Sequence, residues 1–296
     1  MKGKRMRERM KKRQIIQTRD AVILVGMLCL ALLIGSLWDE PISRRLYSSE
    51  SAFGGFLAAY GELPIGICMI TAGVLFIMGR KREQQGAVHM AVGAACILYG
   101  AFAMAIMPRG GLSLSTVASS LISVVLTALI ILADIKLFRN ADREAMLKVA
   151  ALFVLCIIAQ GLVIDVLKAL WVRPRMKMIL ETPEAHFVPW WVVSHAMRDK
   201  LAMAGVDKAW FTSFPSGHTA NAASAMLLAL LPLIRPEWKR KQSLLLFLGA
   251  AWALAVALSR IILGMHFVTD TIVGFAVTLG VMLLFVKLVF QNSFSK

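Results

Sequence analysis

The chain has 296 residues, of which 58% are hydrophobic and 17% charged, and its mean hydropathy is +0.72. A soluble domain of this size cannot carry that much apolar side chain on its surface, so a bilayer is the expected solvent. The net charge of +16 lies in short runs between long apolar stretches, the pattern of cytoplasmic helix ends in a membrane protein, which argues against nucleic acid as the partner.

In chain order, residues 1–20 read as a basic cytoplasmic tail and 21–290 as a single membrane domain. The run from Ala21 to Trp38 is long enough to span, and no small-residue cleavage site follows it, so it reads as a retained first helix rather than a signal peptide. Further apolar runs at 64–79, 88–107, 116–137, 147–171, 215–234, 243–263 and 267–288 bring the expected number of membrane helices to about eight. The expected fold is an all-α, polytopic membrane helix bundle.

Lys and Arg concentrate in the tail, at Arg80-Lys81-Arg82, from Lys136 to Lys148 and from Arg235 to Lys241. These alternate onto one side, which predicts both termini in the cytoplasm. The opposite side receives 39–63, 108–115, 172–214 and the turn near 264–267. Arg173, Arg175 and Lys177 break the charge rule there, and misplaced positive charge predicts a local anionic partner. The long loop at 172–214 also carries Pro189-Trp190-Trp191, which reads as an interfacial anchor or as a lid over a headgroup. The four cysteines, Cys29, Cys68, Cys96 and Cys156, all sit inside apolar runs with no metal-ligand spacing.

Three polar clusters fall at non-cytoplasmic helix ends: Lys168 to Arg175, Pro215-Ser216-Gly217-His218, and Ser259-Arg260 through His266 to Asp270. Dense positive charge from Lys168, Arg173, Arg175 and Arg260 suits the oxygens of a phosphomonoester. Ser216 and Gly217 open a helix, where backbone N–H groups and the helix dipole favour an anion. His218 is placed to protonate a leaving oxygen. His266 and Asp270 are four apart, so on a helix the carboxylate would hold one ring proton and free the other nitrogen for attack on phosphorus. Asp165, three residues before Lys168, reads as an intrahelical partner for it. No carboxylate cluster suited to magnesium accompanies these motifs, so no metal and no cofactor is expected.

With these motifs in place, the chain resembles the type 2 phosphatidic acid phosphatase superfamily, whose members include membrane lipid phosphatases and, distantly, soluble vanadium haloperoxidases. The family pattern is K-x6-R-P, P-S-G-H and S-R-x5-H-x3-D. The second and third motifs are complete, at Pro215 to His218 and Ser259 to Asp270, and the first matches through Lys168 and Arg175 with Met176 in place of the usual proline. Arg173-Pro174 offers an alternative gripping arginine, but the spacing favours Arg175. The resemblance covers the motif-bearing core at 147–288, in the last four to six helices.

The resemblance implies a membrane lipid phosphatase acting on a lipid phosphomonoester or diphosphate at the non-cytoplasmic face. In that reading His266 is the nucleophile and forms a phosphohistidine, Asp270 orients it, and His218 is the acid. Lys168, Arg175, Ser216, Gly217 and Arg260 bind the phosphoryl oxygens. A lipid phosphotransferase using the same intermediate, and a non-catalytic lipid-phosphate binder or transporter, are the rival readings.

Overall fold

The computed structural model describes residues 15–80, 86–112, 115–193 and 195–291. The tail through residue 14, together with Lys81 and Arg82, lies outside the described residues. The long helices are α1 (Thr18–Leu46), α2 (Ala52–Tyr60) running almost directly into α3 (Leu63–Gly79), α4 (Gly86–Leu112), α5 (Thr116–Phe138) and α6 (Arg143–Leu170). Two short helices, α7 (Met176–Glu181) and α8 (Ala196–Met203), follow in the long loop. The chain then continues through α9 (Gly217–Ala223), a tight 3-10 stretch (Ser224–Leu233), α10 (Gln242–Ile262) and α11 (Val268–Gln291). Among the described residues there is no sheet, and seven helical spans are long and apolar enough to cross a membrane. The protein is therefore an all-α, multi-pass membrane bundle.

The expectation of about eight membrane helices is corrected at 215–234. This apolar run is not one α-helix: after the seven residues of α9 the backbone tightens into ten residues of 3-10 helix that include Pro232. Its surroundings account for the tightening. The segment is closely enclosed, with Ala222, Ala223, Met226, Leu227, Ala229 and Leu230 buried. A side chain at Gly249 of α10 would collide with the backbone of Ala225 and Met226, so the two backbones touch. A 3-10 helix rises faster than an α-helix, and the combined segment still extends about 30 Å, the thickness of the hydrocarbon core.

A second correction concerns 39–63, expected as an outer loop. Helix α1 runs on to Leu46, and α2 adds further helix before α3. Pro41 lies inside α1 and lacks the N–H that would bond to the carbonyl of residue 37, and the backbone breaks at Trp38 (φ −131°, ψ 23°). The resulting kink turns Asp39 inward, where it is buried.

Helices α3 and α4 approach closely through two glycine pairs. A Cβ on Gly66 would meet the Gly100 carbonyl, and one on Gly73 would meet the Gly93 carbonyl. Small residues at such contacts let membrane helices pack without a hydrophobic driving force. By contrast α4 and α5 turn most of their surface outward, with 22% and 17% of their apolar windows buried against 67% for Ala52–Gly79.

Candidate active site

The end of α6, the start of α9, the end of α10 and the start of α11 meet at one end of the bundle, held by main-chain hydrogen bonds. Ser213 N–H donates to the Arg173 carbonyl (3.1 Å) and Arg175 N–H to the Trp210 carbonyl (2.9 Å), which pins the first motif to the lead-in of the second. Ser216 N–H donates to the Asp270 carbonyl (2.9 Å), joining the second to the third, and Lys177 N–H donates to the Gly264 carbonyl (2.8 Å), joining the third to the first. Gly264 caps α10 in the left-handed region, at φ 66°, where a side chain would strain the backbone and meet Tyr47. A Cβ on Gly274 of α11 would overlap the Ser216 carbonyl, so the absence of a side chain there sets how near α11 lies to the second motif.

Lys168 and Arg260 occupy the last turns of α6 and α10, where the negative end of the helix dipole favours a cation. The Lys168 ammonium lies 3.4 Å from where a Cβ on Gly217 would be. The Arg260 side chain is buried, and its Nε has no hydrogen-bond partner. Among the described residues the Arg175 guanidinium donates only to the Thr212 hydroxyl (3.2 Å) and the Met265 sulfur (3.8 Å), and its buried Nε is likewise unpaired. Among the described residues no carboxylate forms an ion pair with any of these three cations.

His266 is buried, with its Nδ1 2.6 Å from the Ser213 carbonyl oxygen. A carbonyl can only accept, so Nδ1 carries the proton and Nε2 keeps its lone pair. Burial, and then the positive charges of Arg260, Arg175, Lys168 and His218, hold this imidazole well below its usual pKa of 6.5, so it stays neutral.

The expected hydrogen bond from the His266 ring to Asp270 is corrected. Asp270 Oδ2 is 3.9 Å from Nδ1, and its oxygens are taken by the Ser213 hydroxyl (2.6 Å), the Phe267 N–H (2.8 Å) and Arg173 Nη1 (2.5 Å). The four-residue spacing does not place the pair on one helix face, because α11 begins after His266. Asp270 instead reaches back to cap its own helix, as an acidic residue in the first turn does. It touches His266 through Ser213, whose hydroxyl it holds while the Ser213 carbonyl orients the ring.

The expectation that Ser216 offers a free N–H is also corrected, since that group is bonded to Asp270. The Ser216 hydroxyl caps α9 by accepting from Thr219 N–H (3.3 Å) and the Thr219 hydroxyl (3.0 Å). His218 lies in the first turn of α9, its Nδ1 3.9 Å from Glu62 Oε1. Asn221 donates to that same oxygen at 2.8 Å.

Arg173, two residues before Arg175, has a different environment. It is buried and donates to Asp270, to Asp39 Oδ2 (2.8 Å) and to the Thr269 hydroxyl (2.9 Å), while the Phe267 ring lies 4.3 Å from its guanidinium carbon. Asp39 completes the cluster by accepting from Thr269 N–H (3.1 Å) and the Thr269 hydroxyl (2.5 Å). The anionic partner predicted for the misplaced positive charge is thus internal for Arg173, and Lys177 pairs with Glu181 at 3.7 Å. The Trp190 loop is fastened to the bundle: its indole donates to the Ser36 hydroxyl (2.9 Å) and its carbonyl accepts from the Trp171 indole (2.6 Å).

Residues 149–294 match the family model of the PAP2 superfamily. This half of the chain belongs to that superfamily. Phosphatidylglycerophosphatase B of Bacillus subtilis is 37% identical over 75 residues, which are 25% of this chain and 36% of that protein. Phosphatidylglycerophosphatase B of Escherichia coli is 44% identical over 62 residues, 21% of this chain and 23% of that protein. Sphingosine-1-phosphate phosphatase 1 of Rattus norvegicus is 36% identical over 77 residues, 26% and 18% of the two chains. The matches therefore span little more than a third of these relatives at most. No solved structure matches the chain.

Proposed function

We propose that this PAP2 protein is a lipid phosphatase that hydrolyses a lipid phosphomonoester or diphosphate through a phosphohistidine on His266. The observation that carries the reading is the charge imbalance of the site. Lys168, Arg175 and Arg260 converge on two histidines without a carboxylate ion-paired to any of them, and two of their buried N–H groups have no partner. Buried cations left unpaired are costly, and a phosphoryl group is the anion whose oxygens match several donors at once. The likeness of short stretches of the chain, 62 to 77 residues, to three phosphatases of lipid phosphates supports a lipid as its carrier.

In this mechanism Lys168, Arg175, Arg260 and the amides of Gly217 and His218 hold the phosphoryl oxygens and offset the charge that develops on them. Ser216 contributes through its hydroxyl and its cap. The His266 Nε2 lone pair attacks phosphorus, Nδ1–H remains on the Ser213 carbonyl, and the bond to the leaving oxygen breaks as His218 gives that oxygen a proton. A water then attacks phosphorus and cleaves the P–N bond, its proton passing to His218. Asp270 positions His266 through Ser213 and is itself fixed by Arg173. None of these steps calls for a metal. The site end of the bundle lies opposite the basic stretches at Lys136 to Lys148 and Arg235 to Lys241, so the reading puts the site at the non-cytoplasmic face and both termini inside.

The test is phosphate release by the purified protein from a panel of lipid mono- and diphosphates in excess chelator. Wild-type protein should release phosphate, and His266→Ala should lose activity by about a thousandfold or more. Consumption of substrate with no free phosphate, in the presence of an acceptor lipid, would replace hydrolysis by transfer. Binding without turnover would replace both by a carrier function.

A further inference from the structure

Beside the phosphate pocket the bundle has a second feature that the chemistry does not use. A cavity of about 350 Å³, lined by Lys168, Gly217, His218, Glu62 and Asn221 among others, is the polar one. A larger cavity of about 510 Å³ lies between α4 and α6, with Met69 of α3 in its wall. Tyr99, Ile157, Gly161 and Asp165 line both, so the two adjoin. The second cavity is mainly apolar, walled by one face of α4 (Val92, Ala95, Cys96, Tyr99) and one face of α6. It exists because α4 and α6 both pack on α3, the former through its glycine pairs, and leave a slot between themselves.

Gly161 marks the junction. Gly66, Gly73, Gly93 and Gly100 are glycines because another backbone presses on them, but a side chain at Gly161 would meet nothing within 4 Å. The small residue keeps space open rather than permitting a helix contact.

We propose that this slot seats the hydrocarbon chain of the substrate while its phosphate occupies the Lys168–His218 pocket, and that α4, which lies outside the family match at 149–294, serves chain recognition. The inference rests on the phosphate-site reading above. An occupant of both cavities must carry an anion at one end and an apolar tail at the other, and the slot runs along α6 from Asp165 back to Val154, a length of about 16 Å at the rise of an α-helix. Tyr99 and Asp165, at the neck, present polar groups where the link between head and tail would pass.

Filling the slot separates the two halves of such a ligand. Gly161→Leu has room and raises helix propensity, so the variant should fold. Its kcat/KM for dipalmitoyl phosphatidic acid should fall by about tenfold or more, with a clearly smaller loss for p-nitrophenyl phosphate, which has no chain, because residue 161 also borders the polar cavity. Ala95→Phe obstructs the opposite wall away from the phosphate pocket and should give the same split. Equal losses on both substrates in both variants, or no loss on either, would overturn the proposal. If wild-type protein hydrolyses neither substrate, the phosphatase reading fails, and the slot is tested by binding. An apolar maleimide should then label Gly161→Cys at residue 161, and dipalmitoyl phosphatidic acid should protect it while dipalmitoylglycerol does not. Equal protection by the uncharged lipid would show a slot for bulk membrane lipid and sink the idea, as would no protection by either.

Discussion

Two charged regions, both largely buried, lie at the same end of the bundle and treat charge in opposite ways. In one, Arg173 stands among Asp39, Asp270 and the Thr269 hydroxyl, with each of its three guanidinium nitrogens hydrogen-bonded. In the other, Lys168, Arg175 and Arg260 all act on His218 and His266, and among the described residues none has an ion-paired carboxylate and two guanidinium nitrogens lack a partner. Two arginines separated only by Pro174 thus serve different ends. Balanced charge fixes the geometry of Asp270 and so of His266, whereas in the proposed function the unbalanced charge is what an anionic substrate completes.

The comparison breaks most sharply at Arg173. Replacing it by Met leaves Asp39 and Asp270 buried together without their cation, and removing one partner of a buried ionic cluster costs about 3–5 kcal/mol. The expected result for Arg173→Met is a large drop in thermal midpoint in detergent, with loss of activity following from loss of fold. Arg175→Met should keep its midpoint near that of wild type and lose activity alone. If the two variants unfold alike, the division into scaffold and site is wrong.

Next in size is Arg260→Ala. This removes a donor from the charge-deficient pocket, and the loss of one such preorganised donor costs about 10²–10³ in kcat. Because no carboxylate is ion-paired with Arg260 among the described residues and Glu62 is only a more distant counter-charge, the midpoint should fall far less than in Arg173→Met. A stability loss comparable to that of Arg173→Met would mean that Arg260 also belongs to the scaffold.

What the sequence discloses follows the same division. The pocket cations and both histidines lie in short contiguous motifs, so local spacing marks them as candidates, and the apolar runs mark the spans but neither the helix within 39–63 nor the geometry of 215–234. The scaffold partners do not announce themselves. Asp39 meets Thr269 across 230 positions, and Ser213 and Gly274 act through backbone contacts that exist only after packing. One signal was present in Arg173, whose charge departs from the alternation expected of the loops, but nothing local names Asp39 as its partner. The helical pairing of His266 with Asp270 fails for a comparable reason: spacing is informative only where a helix has already begun. The tightening of Ser224–Leu233 is hidden because an apolar run reads the same as α or 3-10, and only the contact with Gly249 distinguishes them.

The smallest effect concerns how the unbalanced region tunes His266. A lowered imidazole pKa means that the ring remains unprotonated, and able to attack, in solutions more acidic than its usual value of 6.5. The acid limb of kcat/KM, which reports the free enzyme, should therefore lie below that pH if His266 is the nucleophile. Burial is the leading cause and persists in any surface-neutral variant, with the Arg260 charge next. In Arg260→Gln the residual activity should show an acid limb displaced upward, yet still below 6.5, because one positive neighbour is gone while the desolvation remains. The same measurement on Asp39→Asn should leave the limb where it is, since Asp39 acts on Arg173 and Thr269 and not on the ring. A limb that moves in Asp39→Asn but not in Arg260→Gln would reverse the assignment of the two regions, making the balanced cluster the one that sets the state of His266.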